Sequence, residues 1–247
     1  MKILLSYVWV GFISLFANNL ISQTTLDYKN RIHPEISDEF MVVSQNYHAT
    51  KVGYEILEQG GNAVDAAVAM GFALAVTLPR AGNLGGGGFM LIYDAKTNKI
   101  SSIDYRSAAP KSATSQMYLT DTGVVRFGHL VNAVPGTVAG LIKAHRAHGS
   151  LKLNQVMKPS IKLAEKGIAV SHDLNFVLNF GKQSMLENPV SRAKFYDEEE
   201  PLKINSLFKQ PKLAKTLRLI SNKGDEVFYK GQIAKWISED SLKNGGL

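Results

Sequence analysis

The fifteen residues from Ala63 to Thr77 constrain the fold more than any other stretch, because they have helical character and almost no polar face. Val64, Ala66, Ala67, Val68, Met70, Phe72, Leu74 and Val76 surround the axis, and a helix apolar all round has to be buried in a large core or a membrane. At fifteen Ala-rich residues it is shorter than the ~20 apolar residues a span requires. It is therefore expected at the centre of a core built by the rest of the chain. Asn62 precedes it as a predicted N-cap, with Asp65 at the third position, where a negative charge suits the helix dipole.

The surrounding pattern alternates helix and strand. Met41–Ser44 reads as a short strand, and His48–Gln59 as a helix closed by Gly60-Gly61. Pro79 stops the central helix, and Gly82-Asn83-Leu84-Gly85-Gly86-Gly87-Gly88 follows. Phe89–Tyr93 and Lys99–Arg106 then form a predicted hairpin about a turn at Asp94–Asn98. Beyond Gly136 helices dominate, over Thr137–His148, Leu153–Glu165, Asp173–Glu187, Pro211–Ser221 and Lys230–Lys243. The closing Asn244-Gly245-Gly246-Leu247 reads as a helix stop with nothing behind it, which raises the expectation of a truncated domain.

Lys2, the apolar run Ile3–Phe16 and the polar exit to Gln23 match a secretory signal peptide over residues 1–23, and residues 24–40 read as a polar lead-in. An uncleaved anchor is the rival, but the run is short for a span. The predicted localisation is periplasmic or secreted. The chain has no cysteine, which excludes disulfides, zinc–thiolate sites, a cysteine nucleophile and a lipidated N-terminal cysteine. Its net charge of +7 is scattered, with no basic run interleaved with aromatics, so nucleic acid is not an expected partner.

Three constellations bear on chemistry. Four consecutive glycines cost backbone entropy, so their backbone either passes close to a ligand or another chain, or forms a tight turn or bulge. They are no phosphate cradle, since Gly88-Phe89 stand where a P-loop needs Lys-Ser/Thr, and no G-x-G-x-x-G occurs. Asp104-Tyr105-Arg106 ends the return strand. Alternation puts Asp104 and Arg106 on one face and Ile103 and Tyr105 on the other. Arg106 there either forks onto a substrate carboxylate or pairs with Asp104. His145 and His148 have metal-compatible spacing but no carboxylate partner in register, and read as a surface pair. Neither H-E-x-x-H nor G-x-S-x-G is present.

Several of these segments, in this order, resemble the large-subunit region of γ-glutamyltransferases. They are Gly60-Gly61-Asn62-Ala63-Val64-Asp65-Ala66-Ala67, Ala81-Gly82-Asn83-Leu84-Gly85-Gly86-Gly87-Gly88-Phe89-Met90, Asp104-Tyr105-Arg106-Ser107-Ala108-Ala109-Pro110, Val134-Pro135-Gly136-Thr137-Val138-Ala139-Gly140, Phe228-Tyr229-Lys230-Gly231 and Lys243-Asn244-Gly245-Gly246. The likeness spans residues 41–247. It implies an α+β fold, the N-terminal nucleophile hydrolase αββα sandwich, of which only the large-subunit part is present.

The resemblance further implies a precursor that cuts itself to expose a threonine on a small subunit. That threonine would attack the γ-glutamyl amide of glutathione and other γ-glutamyl compounds, and pass the acyl group to water, amino acids or peptides. No metal or organic cofactor is implied. By the same resemblance Arg106 grips the α-carboxylate of the donor, and the catalytic threonine lies outside this chain, so that the fragment alone is expected to be inactive. The residue after the arginine is commonly Glu in the family and is Ser107 here. Thr24-Thr25, near a new N-terminus after signal cleavage, lacks anything like the family's processing site. A β-lactam side-chain acylase of the same architecture, or a noncatalytic glutamate-binding remnant, remain alternatives.

Overall fold

The expected central helix is present with the expected bounds. Described over residues 36–120, 123–124 and 128–247, the computed structural model has α1 at Tyr47–Glu58 and α2 at Ala63–Thr77. The predicted signal segment and all but the last residues of the polar lead-in lie outside the described residues. Residues Phe40–Leu247 make one compact unit. In α2, Val64, Asp65, Ala66, Val68, Ala69, Phe72, Ala73, Ala75, Val76 and Thr77 are all buried, covering every side of the helix. It packs against α1, α3 (Thr137–His148) and α4 (Leu153–Lys166). Small residues make this possible: a Cβ on Gly71 would sit 2.8 Å from Leu141, and one on Gly53 2.7 Å from Met70.

The N-terminus of α2 is a polar joint. Asn62 Oδ1 accepts the N–H groups of Val64 at 2.9 Å and Asp65 at 3.0 Å, and Asp65 Oδ2 accepts that of Asn62 at 3.0 Å. Asp65 is fully buried and also accepts the backbone N–H groups of Ser150 at 3.0 Å and Leu151 at 3.3 Å. One carboxylate thus closes a capping box and fixes the turn between α3 and α4. His145 belongs to the same joint: its Nε2 donates to Leu151 O at 2.9 Å and lies 3.6 Å from Asp65 Oδ1. This corrects the surface-pair expectation for His145, which the chain uses internally.

The hairpin pairs β1 (Phe89–Asp94) with β2 (Lys99–Asp104), antiparallel, from Phe89↔Asp104 to Asp94↔Lys99. Its inner face places Ile103 in the core, with Met90 and Ile92 packed against it. Its outer face carries Phe89, Leu91, Tyr93 and Ile100, each more than 60% exposed. Two-residue pairs follow: β3 (Leu119–Thr120) with β4 (Gly123–Val124), β5 (Ile168–Ala169) with β8 (Leu207–Phe208), and β6 (Tyr196–Asp197) with β7 (Glu200–Pro201). A second apolar cluster, Ile168, Val170, Leu174, Leu178, Tyr196 and Phe208, sits under this C-terminal region.

Elsewhere the structure departs from the pattern reading. Met41–Ser44 is not a strand; Ser44 instead bonds the start of α1, its N–H and Oγ both reaching Thr50 Oγ1, at 3.1 and 2.8 Å. The single helix expected over Asp173–Glu187 is two, α5 (His172–Phe180) and α6 (Lys182–Glu187), divided at Gly181. A further short helix, α7 (Pro189–Phe195), starts where Asn188 caps Val190 and Ser191. α8 spans Pro211–Lys223, a short α9 (Glu226–Tyr229) follows, and α10 (Gln232–Lys243) is the helix expected over Lys230–Lys243. Among the described residues no helix is long and apolar enough to cross a membrane.

Candidate functional site

The arginine motif, the glycine segment and the Val134–Gly140 motif, far apart in sequence, meet at one place. Gly88 and Tyr105 extend the hairpin by one pair, with Gly88 N donating to Tyr105 O at 3.2 Å and Tyr105 N to Gly88 O at 3.0 Å. On the other side Ala108 and Val134 exchange backbone bonds of 3.1 and 2.8 Å. Gly86 O then accepts the N–H groups of Gly136 at 2.8 Å and Thr137 at 3.1 Å, tying the glycine segment to the start of α3.

Gly82, Gly87 and Gly88 are needed for space, not for backbone angle: none from Gly82 to Gly88 has positive φ, and a Cβ on Gly82 would lie 2.5 Å from Leu74 Cβ. A Cβ on Gly87 would lie 2.6 Å from Tyr105 O and in contact with Ser107 N; one on Gly136 would collide with Tyr105 O. A Cβ on Gly140 would run into the Tyr105 ring, and one on Gly88 would lie 2.8 Å from it. The close approach inferred from the glycine run is therefore real, but its object is the chain's own 105–107 segment. The first part of the run is also a turn, with Gly86 N donating to Asn83 O at 3.4 Å.

Strand alternation comes out as expected. Ile103 is buried and Tyr105 half-buried, whereas Asp104 and Arg106 face out. Burial raises the Tyr105 phenol above its ordinary pKa. The carboxylate of Asp104 turns to the backbone, its Oδ1 accepting the Arg106 N–H at 2.8 Å. No ion pair joins Asp104 to the Arg106 guanidinium, nor does that guanidinium pair with any other described carboxylate. Of the two readings of Arg106, pairing with Asp104 is thus set aside. The side chain stands on open surface and lines neither of the two cavities described, of about 310 and 320 Å³.

A second support went unread in the sequence. Tyr229, in the Phe-Tyr-Lys-Gly motif, donates its hydroxyl to Pro135 O at 2.8 Å and accepts the Ala139 N–H at 3.1 Å. It staples α9 to the start of α3, the segment that receives Tyr105, and burial raises its pKa too. Both the Phe-Tyr-Lys-Gly motif and the Val134–Gly140 motif were singled out in the sequence, but spacing does not disclose that they touch. Among the described residues no group of three or more His, Asp or Glu could hold a metal ion.

A family model described as gamma-glutamyltranspeptidase matches residues 49–247. The glutathione hydrolase proenzyme of Escherichia coli (strain K12) is 45% identical over 221 residues, which cover 87% of this chain and 38% of that protein. The chain therefore spans well under half the length of that relative. Among solved structures, the gamma-glutamyltranspeptidase of Helicobacter pylori superposes with a TM-score of 0.83 at 40% identity, covering 87% of this chain and 63% of that one. The fold is accordingly the expected α+β one, a part of the N-terminal nucleophile hydrolase sandwich. A cephalosporin acylase from Bacillus halodurans, at 24% identity and TM-score 0.70, is similar in fold alone.

Proposed function

Because the chain belongs to the gamma-glutamyltranspeptidase family, we propose that it is the donor-binding part of an exported γ-glutamyl transferase/hydrolase. The complete enzyme cleaves the γ-glutamyl amide of glutathione and related compounds, and passes the glutamyl group to water, amino acids or peptides. The nucleophile is the leading threonine of a small subunit carried outside these residues, with its own α-amine as base. Residues 1–23 direct export. Arg106 binds the donor's α-carboxylate in a bidentate, charge-assisted fork.

The observation that carries this reading is an exposed guanidinium, unpaired among the described residues, at the end of a strand locked from both sides. A guanidinium already neutralised by Asp104 would be a poor receptor for a second carboxylate. The open setting of Arg106 leaves one wall of its site to be supplied by the small subunit. The outward apolar row of Phe89, Leu91 and Tyr93 offers that subunit a sheet face on the same hairpin.

The test is kinetic. Produced together with a threonine-led small subunit, the chain is expected to release glutamate from glutathione. Arg106→Ala should then raise KM with kcat largely kept, by a loss of about 2–4 kcal/mol, or some thirtyfold to several hundredfold. Glutathione kinetics unaltered by that substitution would remove Arg106 from the site.

A further inference from the structure

We infer that Tyr105 is a positioning residue for Arg106, held in a notch that glycines at 88 and 140 keep open. The inference rests on the substrate role of Arg106 proposed above and adds how its direction is set. Along a strand, neighbouring side chains point to opposite faces, so fixing one ring inward fixes the next side chain outward. Tyr105 is so fixed by three independent contacts. Its ring lies against Gly140 and Gly88 so closely that any Cβ would displace it. Its backbone is bonded in both directions to Gly88. Its carbonyl is hemmed by Gly87 on one side and Gly136 on the other.

The Arg106 backbone has no such freedom to yield either. The preceding Asp104 carboxylate takes its N–H, and two residues on, Ala108 is bonded to Val134. The rotation left to this segment is a roll about the strand axis, and the Tyr105 ring in its notch is what opposes a roll. A long guanidinium amplifies any roll at its Cα into a displacement of its fork. Bidentate recognition is sensitive to such displacement, since about 1 Å of misplacement can cost on the order of a hundredfold.

The experiment uses the complete enzyme, with a γ-glutamyl anilide as donor and a double-mutant cycle between positions 105 and 106. Tyr105→Ala is expected to raise KM about tenfold or more with kcat little changed, while Tyr105→Phe, which keeps the ring, stays at the parent value. In an Arg106→Ala background, Tyr105→Ala should add almost nothing, because there is no fork left to aim. A KM unmoved by Tyr105→Ala, an equal effect in both backgrounds, or a fall in kcat alone would overturn the inference. Should Tyr105→Ala fail to assemble, Tyr105→Leu carries the same expectation at smaller size. If Arg106→Ala itself leaves KM unchanged, the site assignment fails and the positioning role goes with it. If only the Tyr105 variants are silent, the positioning role alone is lost.

Discussion

At the scale of single residues, the support behind Arg106 runs one step further back, to Tyr229. Its hydroxyl both donates to Pro135 O and accepts from Ala139 N, so a phenyl ring would leave a half-buried carbonyl and an amide without that partner. Losing such bonds while keeping the ring costs about 1–3 kcal/mol. Tyr229→Phe is therefore expected to lower the unfolding free energy by that amount, read as a lower urea midpoint with an unchanged slope. An unchanged midpoint would mean that the 135–139 turn is held by its other bonds alone. Arg106 itself was legible because strand alternation is a local rule, and Ile103, Asp104, Tyr105 and Arg106 obey it. Which carboxylate the guanidinium meets was not legible. Asp104 two residues away was an equally good candidate until its Oδ1 proved to be occupied by a backbone N–H. Likewise the glycine run announced a close approach but not what approaches, since the partner segment lies some twenty residues on and is selected by tertiary packing.

At the scale of elements, the helices that came out with the expected bounds are those whose sequence carries a clear start or stop signal. α2 has Asn62 before it and Pro79 beyond it; α3 ends at Gly149. Met41–Ser44 has strand-forming residues but no described strand partner, and the Ser44 hydroxyl commits it to the start of α1. α5 and α6 share an apolar pattern that continues through Gly181, so only the glycine marks the division. The joint between α2, α3 and α4 shows how much one buried side chain can decide. Asp65, fully buried, accepts three different backbone N–H groups. Replacing it by Ala would orphan those donors and leave His145 facing a void, at a cost beyond about 3 kcal/mol. The expected outcome is a fall of well over 5 °C in thermal midpoint at about this chain length. The helices α3 and α4 should also gain amide exchange near residues 149–151. A loss confined to the first turn of α2 would reduce Asp65 to an ordinary cap.

At the scale of the whole molecule, the distribution of apolar surface separates what this chain satisfies by itself from what it offers to others. Its helices bury α2 on all sides, and that core is continuous with the inner face of the hairpin through Ile103. The outer face of the same hairpin is a row of large apolar side chains with Phe89 at 68%, Leu91 at 78%, Tyr93 at 63% and Ile100 at 75% exposure. Tyr93 and Ile100 are directly paired across the strands, so the row is contiguous and not scattered. A contiguous exposed apolar patch on a two-stranded sheet favours association. In the proposed enzyme the small subunit covers it; without that subunit, copies of this chain are expected to cover one another. Leu91→Lys places a charge in the middle of the row, away from Arg106, whose side chain leaves from the far end of the paired strand. The full chain alone should sediment as concentration-dependent oligomers, and the Leu91→Lys chain as predominantly monomer with an unchanged thermal midpoint. Co-production with the small subunit should have the opposite sensitivity, the lysine weakening recovery of the complex. A parent chain that stays monomeric at high concentration, with the row exposed, would show that this face needs no partner, and would withdraw the hairpin from the proposed subunit contact.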